Sequence, residues 1–389
     1  MRRFLLFVLA VAPLAVAAEP PKPPADPASV RGLSFSPDGS LLAAAVAARG
    51  QPGRVLVWDV AGRKLVATSE VVGEVPTAVF APDGKAVVVA DGQKALTILD
   101  PKTARKTGEI APFTFEAVGL APAGPGKWVV RGKDDAFHLW DEKAQKATHE
   151  FPAGKGVWSS AVSPGGKWLF VNAGGADFLW DLTTGKEVAA LPKPQPQSAR
   201  VNAPAFLGED RLLLGSNTGL HRIIELPSGK EAMRFQNEGG TGLMAYSPAA
   251  GMLAARSYKA SAVALTPLTF RQPTDAEKAR VAELLKECDS DDFATREKAA
   301  AALVQLGPAV EPLLKAASTE GPSAEVRMRA RVARETMLGQ PKFTLAGPGR
   351  ELWAMAFAQD GKVLAAGGSD GVVIIWDPAT GKELGRLGP

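Results

Sequence analysis

Three histidines, one cysteine, an acidic run and an arginine stripe are the residues of this chain that could carry chemistry. His138, His149 and His221 stand far apart at no metal-ligand spacing, and surface or packed histidines account for them. Asp289, Asp291 and Asp292 are spaced like the opening of a calcium loop. Ala294 stands where that loop needs glycine, and Ala300 where it needs a bidentate glutamate. The three read instead as cap and dipole charges of a helix. Arg327, Arg331 and Arg334 fall on one face of a predicted helix, with Arg329 to one side. Such a stripe suits an anion or acidic partner, and it equally suits a solvated face balanced by Glu325 and Glu335. Cys288 reads as a small packed hydrophobe rather than a reactive thiol. No glycine-rich phosphate loop, zinc motif or nucleophile elbow occurs. No catalytic residue, metal ligand or cofactor is therefore assigned.

The elements behind these residues show themselves as a repeat. The turn Ser36-Pro37-Asp38-Gly39 recurs as Ala81-Pro82-Asp83-Gly84, Ala121-Pro122-Ala123-Gly124, Ser163-Pro164-Gly165-Gly166, Ser247-Pro248-Ala249-Ala250 and Ala358-Gln359-Asp360-Gly361, with a weaker copy at Leu207-Gly208-Glu209-Asp210. Proline presets φ at the second turn position and Asp-Gly tolerates the angles that follow, so each copy joins two strands. A second marker follows each turn: Trp58-Asp59, Leu99-Asp100, Trp140-Asp141, Trp180-Asp181, Ile224-Glu225, Leu265-Thr266 and Trp376-Asp377. Both columns step by about 40 residues and then, at the last step, by about 70 more, which places one insertion in the sixth unit. Each unit divides into four short strands; in the first they are 31–36, 41–46, 54–58 and 64–69.

These residues resemble the WD40 family over roughly Val30 to Leu387, the insertion excepted. The resemblance implies an all-β fold, a seven-bladed β-propeller, with a small all-α insertion in blade six. The Gly-His that usually precedes the first strand in the family is absent from every unit, so its hydrogen-bonded tetrad is incomplete. Ser369, Asp370 and Trp376 come nearest to it. Each blade is continuous in sequence, so closure rests on packing between blades one and seven or on a strand from Pro21–Ala28. The resemblance puts the second-to-third-strand turns, with Asp91, Asp134, Asp135, Asp177, Asn217 and Asp370, on the upper face. Trp158 and Trp353 begin first strands near the upper entrance and are read as core or as a contact surface.

From Thr274 to Leu338 the period becomes helical. Thr274 and Glu277 form a capping box, Asp291–Leu306 is a second helix, Pro308 opens a third, and Ser323 caps a fourth. The two hairpins resemble HEAT-like repeats. The insertion falls between the third and fourth strands of blade six, so the helices are expected to project from the lower rim.

Arg2 and Arg3 precede the apolar run Phe4–Val16, and Ala15-Val16-Ala17 offers a cleavage site, with Val16-Ala17-Ala18 as an equal register. The run is shorter than the roughly 20 residues of a spanning helix, so a signal peptide is expected and no membrane span after its removal. The divisions are 1–17 signal peptide, 18–29 proline-rich linker, 30–272 blades one to six, 273–341 helical insertion, and 342–389 the end of blade six with blade seven. A single cysteine allows no internal disulfide, so stability must come from the core. The net charge of +4 gives no reason to expect nucleic acid. The reading is an exported protein, periplasmic or secreted, monomeric on its own. It is a non-enzymatic scaffold for a protein or peptide partner. Trp158, Trp353, Arg327, Arg331 and Arg334 are its candidate contacts. The alternative is an exported enzyme or small-ligand or glycan binder with its site at the channel mouth.

Overall fold

The computed structural model describes residues 28–48, 51–70, 73, 77–110, 112–188, 191, 201–236, 240–257, 262–348 and 351–388. The expected signal peptide, 1–17, and most of the expected linker, 18–29, lie outside them, including nearly all of the segment Pro21–Ala28. Seven four-stranded antiparallel sheets follow one another, each built of strands adjacent in sequence order. Their first strands are Ser29–Phe35, Thr77–Phe80, Ala117–Pro122, Val157–Val162, Val201–Phe206, Thr241–Ser247 and Leu352–Phe357. Each first strand touches the next around the axis, and the last touches the first. The sheets are thus the blades of a closed seven-bladed propeller.

Burial follows position in the blade. Second strands such as Trp168–Ala173 are covered on both faces by neighbouring blades and are buried throughout, Asn172 being the one polar residue of that strand. Fourth strands such as Lys146–Pro152 form the rim, mostly exposed and polar. Trp58, Trp140, Trp180 and Trp376 are all buried. The aspartate after each tryptophan closes the next turn. Asp181 Oδ1 accepts from the Thr183 (2.8 Å) and Thr184 (3.2 Å) amides. Asp377 accepts from the Ala379 amide (2.8 Å), and Asp141 from the Ala144 amide (2.9 Å). Asp59 accepts from the Gly62 amide in the same way. The marker pair is therefore one inter-blade wedge and one turn lock.

Among the described residues, no strand is shared across the ends of the ring. Blades one and seven close on an apolar cluster that includes Val30, Leu42, Leu56, Trp58, Ala365, Ile375 and Leu387. Trp58 Nε1–H donates across the seam to the Gly388 carbonyl (3.2 Å). Of the two closures the sequence allowed, side-chain packing is the one seen in the described residues.

The helices are α1 (Asp275–Glu287), α2 (Phe293–Gln305), α3 (Glu311–Glu320), preceded by a 3-10 turn at Pro308–Val310, and α4 (Ala324–Gly339). The capping box is formed: Thr274 accepts from the Glu277 amide (3.3 Å), and Glu277 accepts from the Thr274 amide (2.8 Å). Asp292 caps α2 through the Thr295 amide (2.7 Å), as the cap reading of the acidic run requires. After α4 the chain re-enters blade six at Phe343–Ala346, paired with Ala262–Pro267. The expectation that the helices project from the rim is corrected. They fold back so that α4 lies against Glu231–Gln236, the outer strand of blade five. One apolar cluster runs from Met233, Phe235 and Leu268 into Leu284, Leu303, Leu314 and Met337. Met233 and Phe235 of that outer strand supply the blade-five side of the cluster.

Candidate functional site

The first strands of six blades share one irregularity. Pairing with the second strand slips near the upper end, between Val30/Gly32, Gly132/Arg131 opposite Ala117/Gly119, Val157/Ser159, Val201/Ala203, Thr241/Met244 and Leu352/Ala354. Each slip leaves an extra residue in the inner strand, and a bulge re-aims that side chain away from the ladder. The residues so placed are Arg31, Val118, Trp158, Asn202, Gly242 with Leu243, and Trp353. Together they ring the upper mouth of the channel.

Three of them stand out into solvent. Trp158 is 64% exposed and Trp353 44% exposed, against near-complete burial of the four marker tryptophans. Arg31 is exposed, and its guanidinium lies over the Trp353 ring at 4.5 Å. Arg31 and Trp353 belong to blades one and seven, which meet at the seam; Trp158 belongs to blade four, across the mouth. A cleft of about 360 Å³ opens between the first strands of blades three and four, lined by Val118, Leu120, Phe137, Ser160, Ala161 and Leu169. It lies along the strand that carries Trp158.

The carboxylates of the upper turns are engaged locally. Asp91 accepts from the Gln93 amide and Thr97 Oγ1 (both 3.3 Å), and burial raises its pKa. Asp134 accepts from the Ala136 amide (3.2 Å), and Asp370 from the Val372 amide (3.1 Å). Asp135 binds the Arg131 guanidinium, which lowers its pKa, and accepts from the Gly156 amide (3.0 Å). Burial raises the pKa of Asp177, opposed by a bond from Asn172 Nδ2 (2.6 Å) and by Arg222 at 3.8 Å. Among the described residues, no three His, Cys, Asp or Glu side chains are grouped to hold a metal ion.

The arginine stripe of α4 does not present three guanidinium groups together. Arg334 pairs with the buried Glu311, and Arg327 donates to the Gly321 carbonyl (2.7 Å). Arg331 is exposed. Arg329 is the buried one, held by Glu297 (2.8 Å) and Glu325 (2.7 Å). Cys288 is buried and unpaired, and burial raises its pKa. A second concavity, about 470 Å³, lies between α3 and blade five, bounded by Phe270, Arg211 and Lys315.

His138 is buried and stacks on Phe115 at 3.8 Å. His149 is half-buried and lies at the outer strand of blade three. His221 is fully buried, stacked on Phe235 at 4.9 Å. Its Nδ1 lies 2.9 Å from the Gly219 carbonyl and its Nε2 3.1 Å from Thr241 Oγ1, a tie from blade five to blade six. The ring therefore donates through Nδ1–H and accepts the Thr241 hydroxyl. Burial pushes its pKa from 6.5 down to about 4. Between those values the unfolded chain binds a proton that the folded one refuses, so stability falls as pH drops from 6.5 to about 4 and then levels. The loss from this group is on the order of 3 kcal/mol. Urea unfolding of wild type and His221→Gln over that range should show a smaller acid loss in the variant. Parallel profiles would refute the assignment.

Arg31 was not singled out from the sequence, although it shares a column with Trp158, Asn202, Gly242 and Trp353, fixed by their common distance to Pro37, Pro164, Gly208, Pro248 and Gln359. The WD domain, G-beta repeat family matches residues 24–59 and 339–377, which contain the inner strands of blades one and seven. No curated protein is significantly similar to the chain in sequence.

Proposed function

We propose that this WD40-repeat propeller is an exported, non-catalytic scaffold that binds a protein or peptide partner at the upper mouth of its channel. WD40 repeats in general mediate contacts between proteins. The observation that carries the reading is the trio Arg31, Trp158 and Trp353, held out from the inner strands on bulges of a closed ring. Exposed indoles on rigid backbone lose little entropy on binding and supply large contact area. Export rests on Arg2, Arg3 and the apolar run to Val16. Among the described residues, no helix is long and apolar enough to cross a membrane. The alternative, an enzyme or glycan site at the same mouth, would draw on upper-turn carboxylates that already accept backbone amides, Asp91, Asp134 and Asp370 within their own turns and Asp135 from Gly156.

The test is cross-linking and mass spectrometry of the tagged chain from its native cells. Wild type is compared with a Trp158→Ala, Trp353→Ala double variant. Recovery of the partner should fall by about tenfold or more at an unchanged melting temperature, as loss of two aromatic anchors implies. The mature chain should begin after Ala17 or Ala18. Equal recovery by the double variant would move the site off the mouth.

A further inference from the structure

We infer that the mouth selects a peptide carrying a bulky apolar residue and a carboxylate, the first seated between blades three and four and the second on Arg31. This deepens the mouth reading above and depends on it. The cleft of about 360 Å³ is at the small end of ligand pockets, which suits one anchoring side chain better than a whole cofactor. It exists because the first strands of blades three and four meet loosely, and because Gly119, Ala121 and Ala161 put little bulk on that wall. Trp158, exposed, lies on the same strand, two residues before Ser160 of the cleft wall.

Charge then chooses the other half of the ligand. Several cations around the mouth are already committed: Arg131 to Asp135, Lys133 to Glu116, Arg222 toward Asp177, and Arg256 to the Leu352 carbonyl. Arg31 is exposed, and among the described residues its contact is the Trp353 ring. A guanidinium held over an indole ring still has N–H donors to offer a planar acceptor, and a carboxylate fits that fork. Blade four faces the blade-one/blade-seven seam across the channel, so one extended segment can reach both features.

The probe is a fluorescein-labelled random copolymer of glutamate and tyrosine, read by anisotropy against the full mature chain. Copolymers of lysine and tyrosine, and polyglutamate, are the comparisons. The Glu–Tyr polymer should bind in a salt-sensitive way, polyglutamate about tenfold more weakly, and the Lys–Tyr polymer not at all. Arg31→Glu should weaken Glu–Tyr binding by about tenfold or more, and Arg31→Gln by less. Gly119→Val adds bulk to the cleft wall: an added Cβ would stand 3.5 Å from Arg131 Cβ, an ordinary contact, and an unchanged melting temperature checks that the variant folds. It should also cost about tenfold in affinity. Wild-type affinity in both Arg31→Glu and Gly119→Val, or no binding of the Glu–Tyr polymer by wild type, overturns the inference. Should Trp158→Ala alone abolish binding while the other two variants bind normally, the mouth reading stands and this ligand class does not.

Discussion

Gly367→Val is expected to lower the melting temperature of the whole chain by several degrees, because it forces the seam of the ring apart. Gly367 lies in the second strand of blade seven, and a Cβ there would stand 2.6 Å from Val30 Cγ1, 2.8 Å from its Cβ and 3.0 Å from its Cγ2. Val30 is itself fully buried in the closing cluster, so the methyl groups have nowhere to turn. Overpacking of this kind costs about 1–3 kcal/mol where the core can shift. Among the described residues the blades share no strand, so the relief is separation of blades one and seven. Gly108→Val is the control, since a Cβ at Gly108 meets only Ile98 Cδ1 at 3.7 Å. Val30→Ala should recover part of the loss in a double variant and cost stability alone, the signature of a direct pair. Thermal unfolding and limited proteolysis of the four proteins decide it. If Gly367→Val melts with wild type, the seam does not close on Val30.

The seam also shows what sequence could and could not carry. The blades were legible because two marker columns, the turn and the Trp-Asp pair, report the same pitch independently. Trp58 and Asp59 have local causes, a buried wedge and a turn lock, and local causes leave local signals. The bulges were illegible for the opposite reason. An extra residue in the inner strand exists only relative to the register of its partner, so Arg31 reads as an ordinary strand residue until Val30 and Gly32 are seen opposite Val46 and Ala45. The same holds for the cations of α4. Helical spacing put Arg334 beside Arg327 and Arg331, but Glu311, which neutralises Arg334, comes from α3. His221 reads from the sequence only as a surface or packed histidine, because its tie to Thr241 depends on which blade lies next to it.

The docking of the helical module leads to the other large expected effect. Joining Pro267 to Phe343 by a short turn, and so removing α1 to α4, should destabilise the propeller or leave it insoluble. Periodicity gave each helix an apolar face, and a self-contained pair of hairpins would bury those faces against one another. The structure goes further: Met233 and Phe235 of blade five, with Leu268 beyond the third strand of blade six, share one cluster with Val281, Leu284, Leu303, Leu314, Met337 and Leu338. Deletion would bare Met233, Phe235 and other blade members of the cluster such as Leu207 and Met244, and each large apolar side chain returned to water costs roughly 1.5–3 kcal/mol. Several together approach the 5–15 kcal/mol that holds a typical domain folded. A binding experiment on the deleted chain would therefore confound loss of a docking surface with loss of the fold. Leu284→Ala separates the two: it leaves the outer surface of the module intact and opens a cavity costing about 2–5 kcal/mol. If module and ring are one cooperative unit, Leu284→Ala shifts a single calorimetric transition of the whole chain. Two transitions, with only the smaller one shifted, would show that the helices fold as an independent guest.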